Sequence, residues 1–295
     1  MRLDRVAAEL FDDYSRGQLQ KWIRSGELTL DGFEGKVTQR VGGSETLRID
    51  AVAMPTETVQ PQPIPLNVLH ADADLLVIDK AAGMVVHPAA GNPDGTLQNG
   101  LLHYDERLAA LPRSGIVHRL DKDTTGVMVV ARSLRAHSSL VEQLQSRTMK
   151  RQYRAVALDD VAGDGTVEAP IGRHPVDRKR MAVVAGGRPA VTHYRVLRRF
   201  GAATELEVSL ETGRTHQIRV HMAHIGHPLV GDPVYGRRRV DPGPAASAMQ
   251  AFPRQALHAR RLRLVHPGTG EAVRFEAPLP DDLAGLLDEL ERTEP

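Results

Sequence analysis

Two aspartates stand among cations in GIVHRLDKDTTG (residues 115–126). Asp121 and Asp123 sit there with His118, Arg119 and Lys122, just ahead of the apolar run VMVVARS. A carboxylate beside a fixed positive charge can stay ionised in a buried pocket, where an unpaired one would not. The same residue types also build an ordinary turn before a strand, because Asp, Thr and Gly satisfy turn backbone groups. A second group, His216, His221, His224 and His227 in THQIRVHMAHIGHP, raises metal chemistry. On a helix His221 and His224 share a face, but His227 drifts from it and adjoins Pro228. Zinc wants three or four converging ligands with an oriented outer shell, so these read as polar or phosphate-contacting histidines and no metal is expected. Cysteine is absent, which removes thiolate nucleophiles, disulfides and cysteine-held metals. Phosphate-cradling loops, dinucleotide fingerprints and the GxSxG elbow are missing as well.

The elements that must position these residues belong to an ordinary globular chain. Of 295 residues, 41% are hydrophobic and 25% charged. No apolar run approaches the ~20 residues that span a bilayer. The start, MRLDRVAAELFDDYS, carries early acids and no signal-type apolar stretch, so a cytoplasmic protein away from membranes is expected. The net charge of +1 hides segregation. Residues 113–154 hold nine Lys/Arg against three Asp/Glu, residues 173–219 ten against four, and the last 25 residues two against eight. Such asymmetry points to a basic face for a polyanion.

Along the chain, Leu3, Val6, Ala7, Leu10 and Phe11 fall on one helical face. A second helix follows in SRGQLQKWIRSGE, with capping-box spacing at Ser15 and Gln18, an apolar stripe of Leu19, Trp22 and Ile23, and Gly26 as its stop. ELTL, GKVTQRV and ETLRI read as short strands. MPTETVQPQPIP (54–65), with four prolines, reads as a stiff linker. Beyond it LLVIDKAAGMVVHP, GVMVVARS, RQYRAVALD, VTHYRVLRRF, TELEVSLETG, HARRLRLVHP and AVRFEAP read as strands. LRAHSSLVEQLQSR and LPDDLAGLLDELER read as helices, and RTHQIRVHMAHIG as a third. Many strands with few helices between them predict an α+β domain rather than a doubly wound one.

DYSRGQLQKWIRSGELTLDG resembles the S4 RNA-binding module, two helices followed by a small hairpin structure. GIVHRLDKDTTG, KRQYRAVAL (150–158) and ETGRTHQIRVHMAHIGHPLVGDPVYG (211–236), in that order, resemble the signature motifs of the RluA family of pseudouridine synthases. With the S4-like front and FPRQALHARRLRLVHPGTG near the end, the likeness is greatest to the large-subunit ribosomal RNA enzymes of the D type. It covers essentially the whole chain. The resemblance implies an S4-like RNA-binding domain over 1–53, a linker over 54–65 and a catalytic domain over 66–295 built on a mixed, largely antiparallel sheet.

By the same resemblance Asp121 is the catalytic aspartate, Tyr153 the active-site tyrosine and Arg219 the arginine that pairs with the aspartate. Arg119 fills the place vacated by a flipped uridine, and Ile218 lines the pocket where relatives often have Leu. DTTG replaces the frequent DTSG, which leaves the turn intact. His118, Lys122 and Arg214, with Arg16, Lys21 and Arg24 on the second helix, are expected to contact RNA, whose phosphates make binding salt-dependent.

The implied reaction breaks the N1–C1′ bond of uridine, turns the base and joins C5 to C1′. As an isomerisation it needs no cofactor. Glycosidases use two carboxyl groups to hydrolyse a related bond; here the base is retained, and one ionised carboxylate suits the task. Arg219 is expected to hold Asp121 ionised through a bidentate fork. Attack at C1′ and removal of the C2′ proton both fit, and Tyr153 would stack on the base and help remove the C5 proton. A target in a duplex must be extruded at a cost of a few kcal/mol. The expected partner is large-subunit ribosomal RNA or a pre-ribosomal particle, and the expected state a monomer. Two rivals remain: a non-catalytic RNA-binding or ribosome-assembly protein, and a metal-dependent nuclease or phosphoesterase using His118, Asp121, Asp123 and the later histidines, which EDTA would silence.

Overall fold

A computed structural model describes residues 1–11, 16–50, 59–89, 91–177, 180–236, 243 and 245–293, apart from the side chains of Arg16 and Gln18. The chain divides into two compact units, Met1–Thr58 and Val59–Pro295.

The first unit contains α1 (Leu3–Leu10), α2 (Arg16–Ser25) and strands β1 (Leu28–Leu30), β2 (Phe33–Glu34) and β3 (Leu47–Ile49), ordered β2-β1-β3. Leu3, Ala7, Leu19, Trp22, Ile23, Leu28, Leu30 and Val41 form its core. Gly26 ends α2 at φ +78°, where a side chain would be strained. Two expectations differ from the structure. Leu10, in the last turn of α1, is 63% exposed, while Asp4 is buried and takes hydrogen bonds from Arg2 and Gln20. GKVTQRV is not a strand, because its backbone serves the N-terminus instead: Leu3 N–H donates to Gln39 O, Asp4 N–H to Val37 O and Val41 N–H to Met1 O. Ser15, the expected helix cap, lies outside the described residues.

The second unit holds β4 (Asn67–Ala71), β5 (Leu75–Lys80), α3 (Leu97–Tyr104), β6 (Thr125–Ala131), α4 (Leu134–Gln145) and β7 (Lys150–Leu158). It continues with β8 (Gly165–Glu168), β9 (Ile171–Arg173), β10 (Met181–Val183), β11 (Val191–Arg199), β12 (Ala203–Leu210) and α5 (Gln217–His224). It ends with α6 (Ala246–Ala251), β13 (Leu257–Val265), β14 (Ala272–Glu276) and α7 (Asp281–Arg292). One sheet runs β4-β5-β6-β13-β7-β12-β11-β8, with β14 also on β13. Its pairings are antiparallel except β6 with β13. This is the α+β class read from the strand pattern, with the mixed, largely antiparallel sheet that the resemblance implies. Strands β5 and β6 bury nearly every residue, so they show continuous apolar runs rather than alternation. α7 lays Leu283, Leu286, Leu287 and Leu290 against Val156, Leu158, Phe200 and Phe252 in a second core.

Of the stretch read as a linker, residues 59–65 pack on the second unit. Asn99 Nδ2 donates to Gln60 O (2.8 Å), Gly95 N–H to Gln62 Oε1 (2.8 Å) and Gln62 N–H to Asn99 O (3.1 Å). Residues 54–58 lie outside the described set.

Candidate active site

The loop 117–124 carries Asp121 out of the sheet just before β6. Its main chain is fastened from several directions. Thr124 N–H closes a turn onto Asp121 O (3.1 Å). Lys80 Nζ, 1% exposed at the end of β5, donates to Lys122 O (2.9 Å), Ala81 O (2.7 Å) and Met84 O (3.0 Å). Arg254, also buried, donates from Nη1 to Asp123 O (3.1 Å), while its Nε and Nη2 grip Asp282 at the start of α7 (2.6 and 2.8 Å). Gln255 Nε2 donates to Thr124 Oγ1 (3.1 Å). Gly126, at φ +115°, lies so close to β13 that a Cβ would sit 2.3 Å from Ala259 O.

Asp121 faces Arg219 on α5. Arg219 Nη1 donates to Asp121 Oδ2 (3.0 Å), but the guanidinium's fork closes on Asp232, Nε to Oδ2 at 2.7 Å and Nη2 to Oδ1 at 2.9 Å. The bidentate pairing expected for Asp121 therefore belongs to Asp232, and Asp121 takes the one remaining donor edge. Asp232 is held in turn by the N–H groups of Val234 and Tyr235 (2.9 and 3.0 Å). The Tyr235 ring lies 5.1 Å from the Arg219 guanidinium carbon. Burial pulls the Arg219 guanidinium down, but the hydrogen bonds and charge of Asp232, then of Asp121, push it above its ordinary value. Burial alone would raise Asp232; Arg219 reverses this and holds it low.

His216 caps α5 in the left-handed region (φ +56°). Its Nδ1 is 2.9 Å from Tyr235 Oη, and its Nε2 is 4.0 Å from Asp121 Oδ1. Burial lowers its pKa, with Asp121 opposing. Tyr153, 6% exposed on β7, is pushed up by burial while Arg151 opposes, so its hydroxyl is a neutral phenol at pH 7.

Of these groups Asp121, Tyr153, His216 and Arg219 border one cleft of about 590 Å³, lined also by His118, Arg119, Ile218 and Arg214 among others. It brings together the three residues expected to be catalytic. Arg119 is exposed and Ile218 is 4% exposed. His118 accepts the Val129 N–H at Nε2 (3.1 Å); burial, then Arg151, lowers its pKa to about 3, so it is neutral. Lys122 points to solvent and is not part of the lining. Lys21 and Arg24 are exposed in the first unit, and the Arg16 side chain lies outside the described set. Of the histidines considered for a metal, His216 meets Tyr235 Oη, His221 meets Thr192 Oγ1 and Ala169 O, and His227 meets Leu158 O.

Lys80, Arg254, Asp232 and Tyr235 carry the site without having been singled out by the sequence. GDPVYG held the signal for the last two, an acid between Gly231 and Pro233. Gly231 (φ +69°) would place a Cβ 2.2 Å from Arg254 O, so this turn is bound to a glycine. The basic segments are also less free than their counts imply. Glu205 takes Arg154 and Arg198, Glu207 takes Arg195, and the acids of the chain's end take Arg254, Arg198 and Arg261.

Residues 74–224 match the family model described as RNA pseudouridylate synthase. This chain belongs to that family. Among pseudouridine synthases it is 54% identical over 293 residues to the ribosomal large subunit pseudouridine synthase D of Xanthomonas campestris pv. campestris, covering 98% of this chain and 88% of the relative. The protein of the same description from Escherichia coli K12 is 50% identical over 292 residues, covering 97% and 90%. Human RNA pseudouridylate synthase domain containing 4 superposes with a TM-score of 0.60 at 26% identity, covering 76% of this chain and 93% of that one. As a pseudouridine synthase the chain is an isomerase.

Proposed function

We propose that this protein isomerises uridines of large-subunit ribosomal RNA to pseudouridine, with Asp121 as the catalytic carboxylate. The observation that carries the reading is the Asp121–Arg219–Asp232 arrangement at one wall of a nucleotide-sized cleft that Tyr153 also lines. Two carboxylates share one guanidinium. The fork fixes Arg219 on Asp232, and the remaining donor orients Asp121, whose other oxygen stays open to the cleft. Attack at C1′ and abstraction at C2′ both begin from that ionised oxygen facing the ribose. The N1–C1′ bond breaks, the base turns within the cleft, C5 bonds to C1′, and the C5 proton ends on N1. Tyr153 enters as a neutral phenol, a stacking platform and hydrogen-bond donor for the uracil, and a relay rather than a standing base for the C5 proton.

The target base is swung out of its helix, and Arg119, exposed at the mouth, takes its place. Residues 1–53 serve as an S4-like RNA-binding domain. The two-helix, three-strand order of the first unit and the exposed Lys21 and Arg24 support this assignment. The partner is ribosomal RNA, free or in an assembling subunit, met by a cytoplasmic monomer. Among the described residues no helix is long and apolar enough to cross a membrane. Tritium release from RNA labelled at uridine C5 tests the reading: wild-type protein releases label and Asp121→Asn does not. Full release by the Asn variant would refute the assignment.

A further inference from the structure

Arg151 lies two residues before Tyr153 on β7, on the same face of the strand, and lines the same cleft. Its neighbours in sequence are matched by acids: Arg147 by Glu211 at 2.8 Å, and Arg154 by Glu205. Arg151 has no such match. Its Nε is buried without a hydrogen-bond partner, and among the described residues no carboxylate lies within ion-pair distance of its guanidinium. The guanidinium is seated against Gly213, where a Cβ would come within 2.6 Å of Nη1, so the loop's glycine makes the room it occupies. Arg214, next along that loop, also lines the cleft and is lowered first by burial and then by the charges of Arg188 and Arg147. The positive field therefore extends from beside Tyr153 outward to the rim, and Glu211, the acid there, is already engaged by Arg147 and His193.

A half-buried cation without a counter-charge costs stability, and unpaired groups of this kind concentrate where a ligand completes them. The ligand must be anionic. A strand advances ~3.3 Å per residue, so Arg151 stands ~6.6 Å along β7 from Tyr153, within the reach of one nucleotide. We propose that Arg151 is a substrate-binding residue whose guanidinium takes a backbone phosphate adjoining the uridine held against Tyr153. This rests on the uridine reading above. A phosphate fits better than the reacting base, because the remaining cations lie towards the rim where the RNA backbone must run.

The test compares wild type, Arg151→Met and Arg151→Lys, each as the full chain, with a large-subunit ribosomal RNA transcript as the probe. Affinity and kcat/KM for tritium release are read between about 50 and 300 mM salt, together with melting temperature. Arg151→Met is expected to lower affinity and kcat/KM about ten- to a hundredfold, with a smaller loss in kcat. The slope of log affinity against log salt should become shallower by about 0.7, the share of one phosphate contact on a single strand. Arg151→Lys should keep the slope. The Met variant should melt no lower than wild type, since no internal partner is lost. An unchanged slope with a fallen kcat would overturn the proposal in favour of an action on the base. A melting temperature several degrees lower would overturn it in favour of a structural role. Wild-type protein that bound the transcript but released no label would instead refute the uridine reading, leaving the salt slope to judge the phosphate contact by itself.

Discussion

Asp121 and Asp232 touch the same guanidinium, yet replacing them should cost the fold very different amounts. Asp232 is buried, carries two of the three Arg219 bonds and accepts two backbone N–H groups. In Asp232→Asn a buried guanidinium loses its main counter-charge, a change that costs on the order of 3–5 kcal/mol. At about 2–4 °C per kcal/mol for a domain of this size, melting should fall by roughly 10 °C. Asp121 accepts one bond and its side chain is 16% exposed. Asp121→Asn leaves the Asp232 fork intact, so it should cost about 1 kcal/mol and shift melting by no more than about 4 °C. Both variants should lose tritium release, Asp121→Asn for want of the carboxylate and Asp232→Asn because Arg219 is no longer fixed. Calorimetry beside the release assay checks the pair. Equal destabilisation by the two substitutions, or a stable Asp232→Asn, would show that the fork is not what holds Arg219.

Acid should weaken the fold through buried neutral histidines. His258, fully buried, has its pKa lowered by burial to about 4 against 6.5 for the free side chain. Between those values the unfolded chain binds the extra proton, so stability falls as pH drops from 6.5 towards 4, by ~1.4 kcal/mol per pH unit. Melting curves of His258→Gln should be flatter over that window, and parallel curves would contradict the reasoning. Burial lowers Lys80 to about 8 against 10.5. The native state sheds its proton first, so wild-type stability relative to Lys80→Met should rise from pH 8 to 10.5, with equal slopes as the contrary result. Removing residues 1–58 should leave the melting of the second unit in place, because each unit has its own core, while RNA affinity falls in a filter-binding measurement. Collapse of the fold would count against two independent cores.

β5 and β6, which bury both faces, were legible because their apolar runs are continuous, and β7 and β13 lie within expected segments apart from their first residue. β4, β8, β9 and β10 span three to five residues each, too few to show a period. α3 was hidden by Asn99 and Gly100 in its middle. Gly100 is there for contact, since a Cβ would lie 3.1 Å from Ile64 Cβ. GKVTQRV has a strand's composition, yet its backbone partners come from the first four residues, a pairing that composition does not encode. In the site, the motif residues Asp121, Tyr153 and Arg219 were readable and meet as expected. Asp232, Lys80 and Arg254 were not, for one physical reason. Each is a charged residue with a distant partner, 13 to 131 positions away, and in sequence a buried charge looks like a solvated one.

The loop bearing Asp121 is fastened on one side by a lysine from the sheet's early strands and on the other by an arginine that is itself tied to the last helix. Chain synthesis supplies these two hands at very different times. A nascent chain that has emerged only as far as α5 holds Lys80, Asp121, Tyr153 and Arg219 but still lacks Asp232, Arg254 and Asp282. The turn beside Asp121 therefore gains its second fastening only after residues 254 and 282 have been made.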